Sequence, residues 1–274
     1  MIMTTRLTDP WLVALDVDGT LLHEDGHLSD RVVESVRGAW NSGHQVMLAT
    51  GRSVSMTMPI LKRLEIEPEF VVCSNGAVTI RRDLGHEGGY RRFHIERFNS
   101  TEVLRQIKAK LPQAHYAVED DMGVYRYTDW FPSRTLDSKS QQVSFEELLN
   151  TSATRVVVIS PDHDISDFLA VVEGLGLHQI NYTVGWTAWL DIAPDGVNKA
   201  TAMERVRKEL NFPMSRVMVV GDGRNDIEML QWAALSGRAV AMGQAPEEVR
   251  RHATEVTSGF LEDGVAKVLE LMSG

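Results

Sequence analysis

Short apolar runs separated by amphipathic stretches restrict the fold of this chain more than any other feature of its sequence. The runs WLVALD (11–16), QVMLAT (45–50) and EFVVCS (69–74) have the length and continuous apolar character of buried strands. Between them, DRVVESVRGAWNSG (30–43) and VSMTMPILKRLEI (54–66) place apolar residues at helical spacing. Continuous apolar strands joined by helices are typical of parallel βαβ units covered on both faces. The sequence therefore predicts an α/β fold with a parallel sheet.

The character of the sequence changes from about Gly85. The stretches GGYRRFHIERF, AHYAVED and GVYRYTDW are more polar and aromatic, which is typical of half-exposed antiparallel strands. Between them STEVLRQIKAKL predicts a helix with Ser100 or Thr101 as its N-cap. The α/β pattern returns with NKATAMERVRKEL, RVMVVG (216–221) and RAVAMG (238–243). We therefore predict a core domain of residues 1–84 and 189–274, interrupted by an α+β domain of residues 85–188.

Charge and hydropathy restrict the partners. The 274-residue chain carries a formal net charge of −10. A net acidic surface does not attract nucleic acid or an anionic membrane, so neither is expected as a partner. No run approaches the ~20 apolar residues of a membrane span, and the first residues lack a secretory pattern. The expectation is a cytoplasmic protein, a monomer or weak homo-oligomer. A small anionic substrate stays compatible with this charge, because a bound cation reverses the field of a single pocket.

Polar side chains follow several of the predicted strands at their carboxyl ends, where open parallel sheets bind ligands. Asp16 and Asp18 follow the first strand, Thr50-Gly51-Arg52 the second, and Asp222, Asn225 and Asp226 the strand RVMVVG. Lys199 lies near the start of a helix. The lone cysteine, Cys73, lies in the apolar run FVVC and is interpreted as a small buried residue rather than a nucleophile.

The acidic residues among these candidates suggest a metal. Asp16, Asp18, Asp222 and Asp226 would repel one another if brought together, and a hard cation such as Mg²⁺ removes that repulsion. Taken singly, each of these aspartates is equally compatible with an ordinary turn or helix cap. In an extended D-x-D segment Asp16 and Asp18 would point to the same side, so one could attack a substrate while the other moves a proton.

The remaining candidates suit a phosphate group. Thr50 offers a hydroxyl, Gly51 an unobstructed amide and Lys199 a point charge, although a simple turn and a solvated lysine are the alternatives. Arg52 either clamps the substrate or forms a structural ion pair. The aromatic residues of the inserted segment either line a specificity pocket or pack its core; they are Tyr116, Tyr125, Tyr127, Trp130, Trp186 and Trp189.

Together these segments resemble the haloacid dehalogenase superfamily of phosphohydrolases, and within it the Cof-type sugar-phosphate phosphatases. The match covers nearly the whole chain, and its motifs occur in the family's order: LDVDGTLL, ATGR, SNGA (74–77), IAPDGVNKATAM, GDGRNDIEML, AVAMGQAPEEVR and EDGVAKVL. The resemblance implies a Rossmann-like parallel-sheet core with an inserted α+β cap that closes over the substrate and sets specificity.

The resemblance also implies a role for each candidate. Asp16 would be the nucleophile that forms an aspartyl-phosphate, and Asp18 would protonate the leaving alcohol and then activate water. Thr50, Lys199 and the Gly51 amide would hold the phosphoryl group of a small phosphorylated metabolite.

The metal ligands follow from the same resemblance. Mg²⁺ would bind Asp16, the Asp18 backbone carbonyl and Asp222, with Asn225 and Asp226 completing its surroundings and Asn225 reaching the phosphate. Arg224 fills a variable position and is expected to be exposed. Arg238 replaces a small apolar residue, which affects packing more than chemistry.

Other functions remain open at this level. A phosphomutase would use the same aspartyl-phosphate but return the group to a second hydroxyl of the substrate. A receiver-like phospho-acceptor gathers similar residues, but an acid two residues after the nucleophile would promote hydrolysis. A silent sugar-phosphate binding protein is disfavoured because every catalytic position is filled.

Overall fold

The computed structural model of the protein describes residues 9–131, 139–174, 180–184 and 188–272. In this part of the chain the strands are β1 Leu12–Leu15, β2 Gln45–Leu48, β3 Phe70–Cys73, β4 Val78–Arg82, β5 Tyr90–Ile95, β6 Phe98–Asn99, β7 His115–Asp120, β8 Tyr125–Tyr127, β9 Gln141–Gln142, β10 Ser152–Ile159, β11 Ile180–Val184, β12 Trp189–Pro194, β13 Val217–Gly221, β14 Arg238–Ala241 and β15 Glu255–Val256. The helices are α1 Asp30–Asn41, α2 Val54–Leu64, α3 Thr101–Lys110, α4 Phe145–Leu149, α5 Ile165–Gly174, α6 Lys199–Glu209, α7 Ile227–Ala234, α8 Glu247–Arg250 and α9 Gly264–Glu270.

The chain divides into two compact units. The first comprises Met1–Ala49, Ile60–Val71 and Met203–Gly274, and the second Thr50–Pro59 and Val72–Ala202, as far as the structure describes them. None of the helices in the described residues is both long enough and apolar enough to cross a membrane.

The first unit is built on a parallel sheet with the strand order β15-β14-β13-β1-β2. Strand β1 pairs on one side with β13, from Leu12 opposite Val217, and on the other side with β2. Its four residues are completely buried, as expected for a strand with neighbours on both edges and helices on both faces. Helix α1 packs on α9, and α7 packs on β13 and β14. Because β1 and β13 are parallel neighbours, their carboxyl ends lie side by side.

The second unit contains mostly antiparallel strands. Its larger sheet has the order β11-β12-β10-β7-β8-β9, with β6 added to β10, and a smaller sheet has the order β3-β4-β5. One face of the larger sheet packs against α3, α4 and α5 through an apolar cluster that includes Leu104, Leu148 and Phe168. The opposite face carries a second cluster around Tyr125 and Phe131.

The predicted fold class, a parallel α/β core with an additional α+β part, is confirmed. One local expectation is wrong. Strand β7, predicted to be half-exposed, is buried on both faces because side chains cover each side of the larger sheet. Ser100 is the N-cap of α3, as predicted, although its side chain makes no capping hydrogen bond. Asn99 Oδ1 accepts the Thr101 amide at 2.9 Å.

Candidate active site

Three aspartates from two segments of the first unit, one after β1 and one after β13, form a buried carboxylate cluster, composed of Asp16, Asp222 and Asp226. One carboxylate oxygen of each lies within 4.8 Å of those of the other two. Asp16 directly follows β1, and its amide donates to Val220 O at 2.9 Å, which keeps its backbone aligned with β13. The two neighbouring strand ends thus place these acids together, as the sequence predicts.

The turn after Asp16 is shaped to admit Asp222. Gly19 has φ +78°, and a Cβ on it would lie 2.3 Å from Asp222 Oδ2, so only glycine fits without a shift. Thr20 Oγ1 donates to Asp222 Oδ1 at 3.0 Å. Gln244 Nε2 donates to the Gly19 carbonyl at 2.5 Å and anchors the turn from a third segment. Asp222 is therefore fixed by the segment that carries the predicted nucleophile.

Asp226 organises the loop that follows β13. Its Oδ2 accepts the backbone amides of Asp222 and Gly223, each at 3.0 Å. A Cβ on Gly221 would lie 2.5 Å from Asp226 Cγ, so the carboxylate lies directly over that glycine. One oxygen of Asp226 thus holds the loop backbone, which fixes the position of Asp222.

The other polar residues of this loop differ in role. Asn225 is half-buried beside Gly223, where a Cβ would lie 2.5 Å from Asn225 Oδ1. Arg224, expected to be exposed, is half-buried because its Nε donates to Glu248 at 2.7 Å. An ion pair gives Arg224 a structural partner within the same unit.

In the second unit, Thr50, Gly51 and Arg52 form a tight segment. Thr50 is fully buried; its amide donates to Val72 O at 2.9 Å, and its Oγ1 accepts the Arg52 amide at 3.0 Å. A Cβ on Gly51 would lie 3.0 Å from Asn75 Oδ1, so the glycine permits a close approach of that amide side chain. The segment presents backbone groups and one hydroxyl, as a phosphate-binding segment requires.

Lys199 begins helix α6 and is completely buried. Its position is fixed by the preceding residue, because Asn198 Oδ1 accepts the Thr201 amide at 2.9 Å while Thr201 Oγ1 accepts the Asn198 amide at 3.1 Å. Lysine is rarely fully buried without a compensating partner, so this burial separates Lys199 from the solvated lysines of the surface.

The predicted site residues divide between the two units. The first unit contains Asp16, Asp18, Asp222, Asn225 and Asp226, and the second Thr50, Gly51, Arg52 and Lys199. The Asp18 side chain is exposed and its carboxylate does not belong to the buried cluster. This arrangement is compatible with a metal contact through the Asp18 carbonyl, as the resemblance implies, and leaves its carboxylate accessible.

The donor set of the carboxylate cluster suits Mg²⁺. At 4.8 Å and an effective dielectric constant of about 20, two unit charges repel by about 3.5 kcal/mol. Buried carboxylates this close need a counter-charge, and carboxylate oxygens are the ligands that Mg²⁺ prefers. Asp16, Asp222 and Asp226 therefore fit a divalent cation, with Asp226 sharing its charge with the loop amides.

Two residues were missed at the level of sequence. Thr20, in the D-x-D-G-T motif, donates a hydrogen bond to Asp222, and no property of the motif alone indicates that contact. Glu119 is a fully buried carboxylate in the larger sheet and accepts a hydrogen bond from Ser74 Oγ at 2.7 Å. No spacing pattern identifies Glu119, because strand alternation does not reveal that both faces are covered.

Cys73 is buried, as predicted, and burial raises the pKa of its thiol to about 12. The aromatic residues of the second unit are mainly structural: Tyr116 and Tyr125 are buried, whereas Trp130 is 63% exposed. Trp186 lies outside the described residues.

Comparisons with known proteins agree with the geometry. A family model for haloacid dehalogenase-like hydrolases matches residues 13–269. A 5-amino-6-(5-phospho-D-ribitylamino)uracil phosphatase of Bacillus subtilis is 26% identical, covering 96% of this chain and 97% of its own. An HMP-PP phosphatase of Yersinia enterocolitica is 23% identical, covering 94% of each chain.

Among solved structures, a haloacid dehalogenase subclass IIB sugar phosphatase superposes with a TM-score of 0.78 at 21% identity. The superposition covers 95% of this chain and 98% of that structure. At this identity the likeness concerns the fold.

Proposed function

The chain belongs to the haloacid dehalogenase-like hydrolases, as its motifs predict, and we propose that it is a Mg²⁺-dependent phosphatase of small phosphorylated metabolites. The phosphatase class agrees with the named relatives. The observation that carries the metal and the site is the buried cluster of Asp16, Asp222 and Asp226 at the carboxyl ends of β1 and β13.

In the proposed reaction Asp16 is the nucleophile. Its carboxylate oxygen forms a bond to phosphorus while the bond from phosphorus to the ester oxygen breaks, which gives an aspartyl-phosphate and an alkoxide leaving group. The rigid, fully paired strand β1 supports this role, since it holds Asp16 with little freedom to move.

Asp18 acts first as the general acid and then as the general base. Its carboxyl group protonates the leaving oxygen and, once ionised, takes a proton from the water that attacks phosphorus. Inorganic phosphate leaves, Asp16 regains its carboxylate and Asp18 its proton. The exposed position of Asp18 supports this role, because the carboxyl group is accessible to alcohol and water.

The phosphoryl group is held by the second unit in this proposal. Thr50 Oγ1 and the Gly51 amide supply hydrogen bonds, and Lys199 supplies a positive charge, with Arg52 and Asn225 as further contacts. Asp16, the Asp18 carbonyl, Asp222, Asn225 and Asp226 would bind or surround Mg²⁺, which when bound neutralises charge on the transferring phosphoryl group.

The substrate class follows from the relatives. Their names specify a phosphoribitylaminouracil, HMP-PP and a sugar as the phosphorylated compounds, all of them small metabolites. We place this chain in the same class, and we propose that residues 85–188 form the cap that selects the substrate.

Phosphate release from p-nitrophenyl phosphate with Mg²⁺ tests the proposal. The wild type should release phosphate, and Asp16→Asn should lose turnover by several orders of magnitude because the covalent route is removed. Asp162→Asn is a matched control, since Asp162 is exposed and belongs to none of these groups. Full turnover by Asp16→Asn would rule out the nucleophile.

Labelled water separates the phosphatase from a phosphomutase. Reaction in ¹⁸O water should place one solvent oxygen in the released phosphate. An isomerised sugar phosphate without labelled inorganic phosphate would identify a mutase instead. A panel of phosphorylated metabolites, compared by kcat/KM, then identifies the substrate.

A further inference from the structure

Glu119 lies at the centre of a buried polar network in the second unit that the proposed reaction does not use. Its Oε2 accepts from Ser74 Oγ at 2.7 Å and from Tyr125 OH at 3.1 Å. Arg155 Nη1 donates to Tyr125 OH at 2.9 Å, and the same guanidinium forms a two-pronged ion pair with Asp191. Four strands of the larger sheet, β7, β8, β10 and β12, thus hold this carboxylate in one place.

Burial of the Glu119 side chain disfavours its ionised form, and its polar and charged neighbours favour that form. Burial raises the pKa of Glu119, while Arg155, the hydrogen bonds from Ser74 and Tyr125, and Arg92 act in the opposite direction. Burying several charged groups costs desolvation free energy, and apolar side chains could fill the same space without that cost if the position were purely structural. The hydrogen-bond partner of Glu119 outside the larger sheet is Ser74, 45 residues earlier in the chain.

Ser74 ties Glu119 to the segment that would hold the phosphoryl group. The Ser74 amide donates to Arg52 O at 2.8 Å, and the next amide, of Asn75, donates to Thr50 O at 3.1 Å. The Asn75 side chain lies against Gly51. A displacement of Ser74 therefore displaces the backbone partners of Thr50 and Arg52 directly.

The same segment also touches the start of α6. A Cβ on Gly76 would lie 2.2 Å from Asn198 O, the residue before Lys199. Ser74 and Asn75 have φ of 48° and 51°, and Gly76 has 99°, a left-handed sequence that non-glycine residues rarely adopt. Contacts must hold such a conformation, and the hydroxyl of Ser74 has Glu119 as its partner.

We propose that Glu119 is a positioning residue: through Ser74 it holds residues 74–76, and thereby Thr50, Gly51 and Lys199, in the geometry that binds the phosphoryl group. The inference rests on the proposed function, in which those three residues contact the phosphoryl group. Because the effect falls on the phosphoryl group, its size is the same for every phosphate ester, whatever the leaving alcohol.

The test compares Ser74→Ala, Glu119→Gln and their double variant with the wild type. Each is assayed with p-nitrophenyl phosphate and a hexose phosphate, and inorganic phosphate affinity is measured by inhibition and by calorimetry. Ser74→Ala should lower kcat by about tenfold on both substrates and weaken phosphate binding by about fivefold, since small misplacements cost that much. Glu119→Gln keeps an oxygen that accepts from Ser74, so its losses in kcat and in phosphate affinity should be smaller than those of Ser74→Ala.

The double variant should be no worse than Ser74→Ala, because Glu119 acts through that hydroxyl. Tyr125→Phe is the matched control: it removes the other hydrogen bond to the same oxygen and should lower Tm while kcat and phosphate affinity stay within about twofold.

Three results overturn the inference: Ser74→Ala with unchanged kcat and phosphate affinity, Tyr125→Phe with losses equal to those of Ser74→Ala, or losses that differ between the two substrates. The last result would instead assign Glu119 a contact with the leaving group. A wild type that releases no phosphate refutes the proposed function, and phosphate affinity alone then decides the inference. A wild type that does not bind phosphate refutes both.

Discussion

Replacing Asp222 by Asn should stabilise the protein without Mg²⁺ and yet leave it less stable than the wild type when Mg²⁺ is present. The substitution removes two of the three repulsive pairs of the carboxylate cluster, whose Coulomb repulsion is at least about 7 kcal/mol at an effective dielectric constant of about 20, because no separation exceeds 4.8 Å. Backbone dipoles and solvent relaxation offset most of this repulsion. We therefore expect a net gain of about 1–2 kcal/mol, or a Tm increase of about 4 °C.

Mg²⁺ should reverse the order of stability. A ligand at a hundred times its Kd stabilises the folded state by about 2.7 kcal/mol, which raises the Tm of the wild type by about 5–10 °C. The variant retains only two carboxylates and should lose most of that shift. Asn preserves the oxygen that accepts from Thr20 Oγ1, so the effect belongs to the charge rather than to a broken turn.

Thermal unfolding with EDTA and across a Mg²⁺ titration measures both effects, with Asp162→Asn as the control for an exposed aspartate. The control should respond to Mg²⁺ as the wild type does. The reasoning is refuted if Asp222→Asn is less stable than the wild type in EDTA, or if Mg²⁺ raises the Tm of both proteins equally.

Three further predictions concern residues around the core. Gly19→Ala should lower Tm by several degrees and abolish the Tm increase on Mg²⁺ binding, since its Cβ would lie 2.3 Å from Asp222 Oδ2. Gly89→Ala, with a φ of 76° and no atom within 4 Å of its Cβ, is the control for backbone strain. An equal decrease in Tm in both variants would contradict the role of the contact with Asp222. Hydrogen bonding by Arg207 lowers the pKa of Glu204 to about 2, so its contribution to stability should be present above about pH 4.5 and lost as pH falls towards 2. Glu204→Gln should accordingly cost about 1 kcal/mol at pH 6 and almost nothing near pH 2 in urea unfolding, whereas Glu209→Gln, at an exposed position, should cost little at either pH. The buried Cys73 thiol, with its pKa raised to about 12, should react with iodoacetamide only when the protein unfolds, and rapid labelling of the folded protein, followed by mass spectrometry, would contradict that burial.

The parallel sheet and the carboxylate cluster could be predicted because both follow from local patterns. The buried strands are uninterrupted apolar runs, and parallel strands bring their carboxyl ends to one edge. The pattern therefore predicts Asp16 and Asp222 side by side. The roles of the individual aspartates depended on the motif resemblance rather than on the pattern.

The buried network around Glu119 could not be predicted, because its partners come from distant segments. Glu119 and Arg155 are both charged residues in strands, and charge alone predicts exposure. Their burial depends on pairing between β7 and β10, where Arg155 lies opposite Glu119, and on coverage of both faces of the sheet. Arg238 also depends on a partner from another segment. Its guanidinium donates to the Glu255 carboxylate on the neighbouring strand, and this ion pair compensates the charge of an arginine where a small apolar residue is expected.

The position of β1 inside the sheet, between β13 and β2, affects how the protein loses activity as it unfolds locally. Strand β1 has neighbours on both edges, whereas β15, a two-residue strand, closes the far edge of the same sheet. Amide protons of Ala14, Leu15 and Asp16 should exchange with deuterium only through the largest opening of the first unit, long after those at the β15 edge. The proposed nucleophile directly follows an interior strand, so molecules that open only at the β15 edge keep it in place.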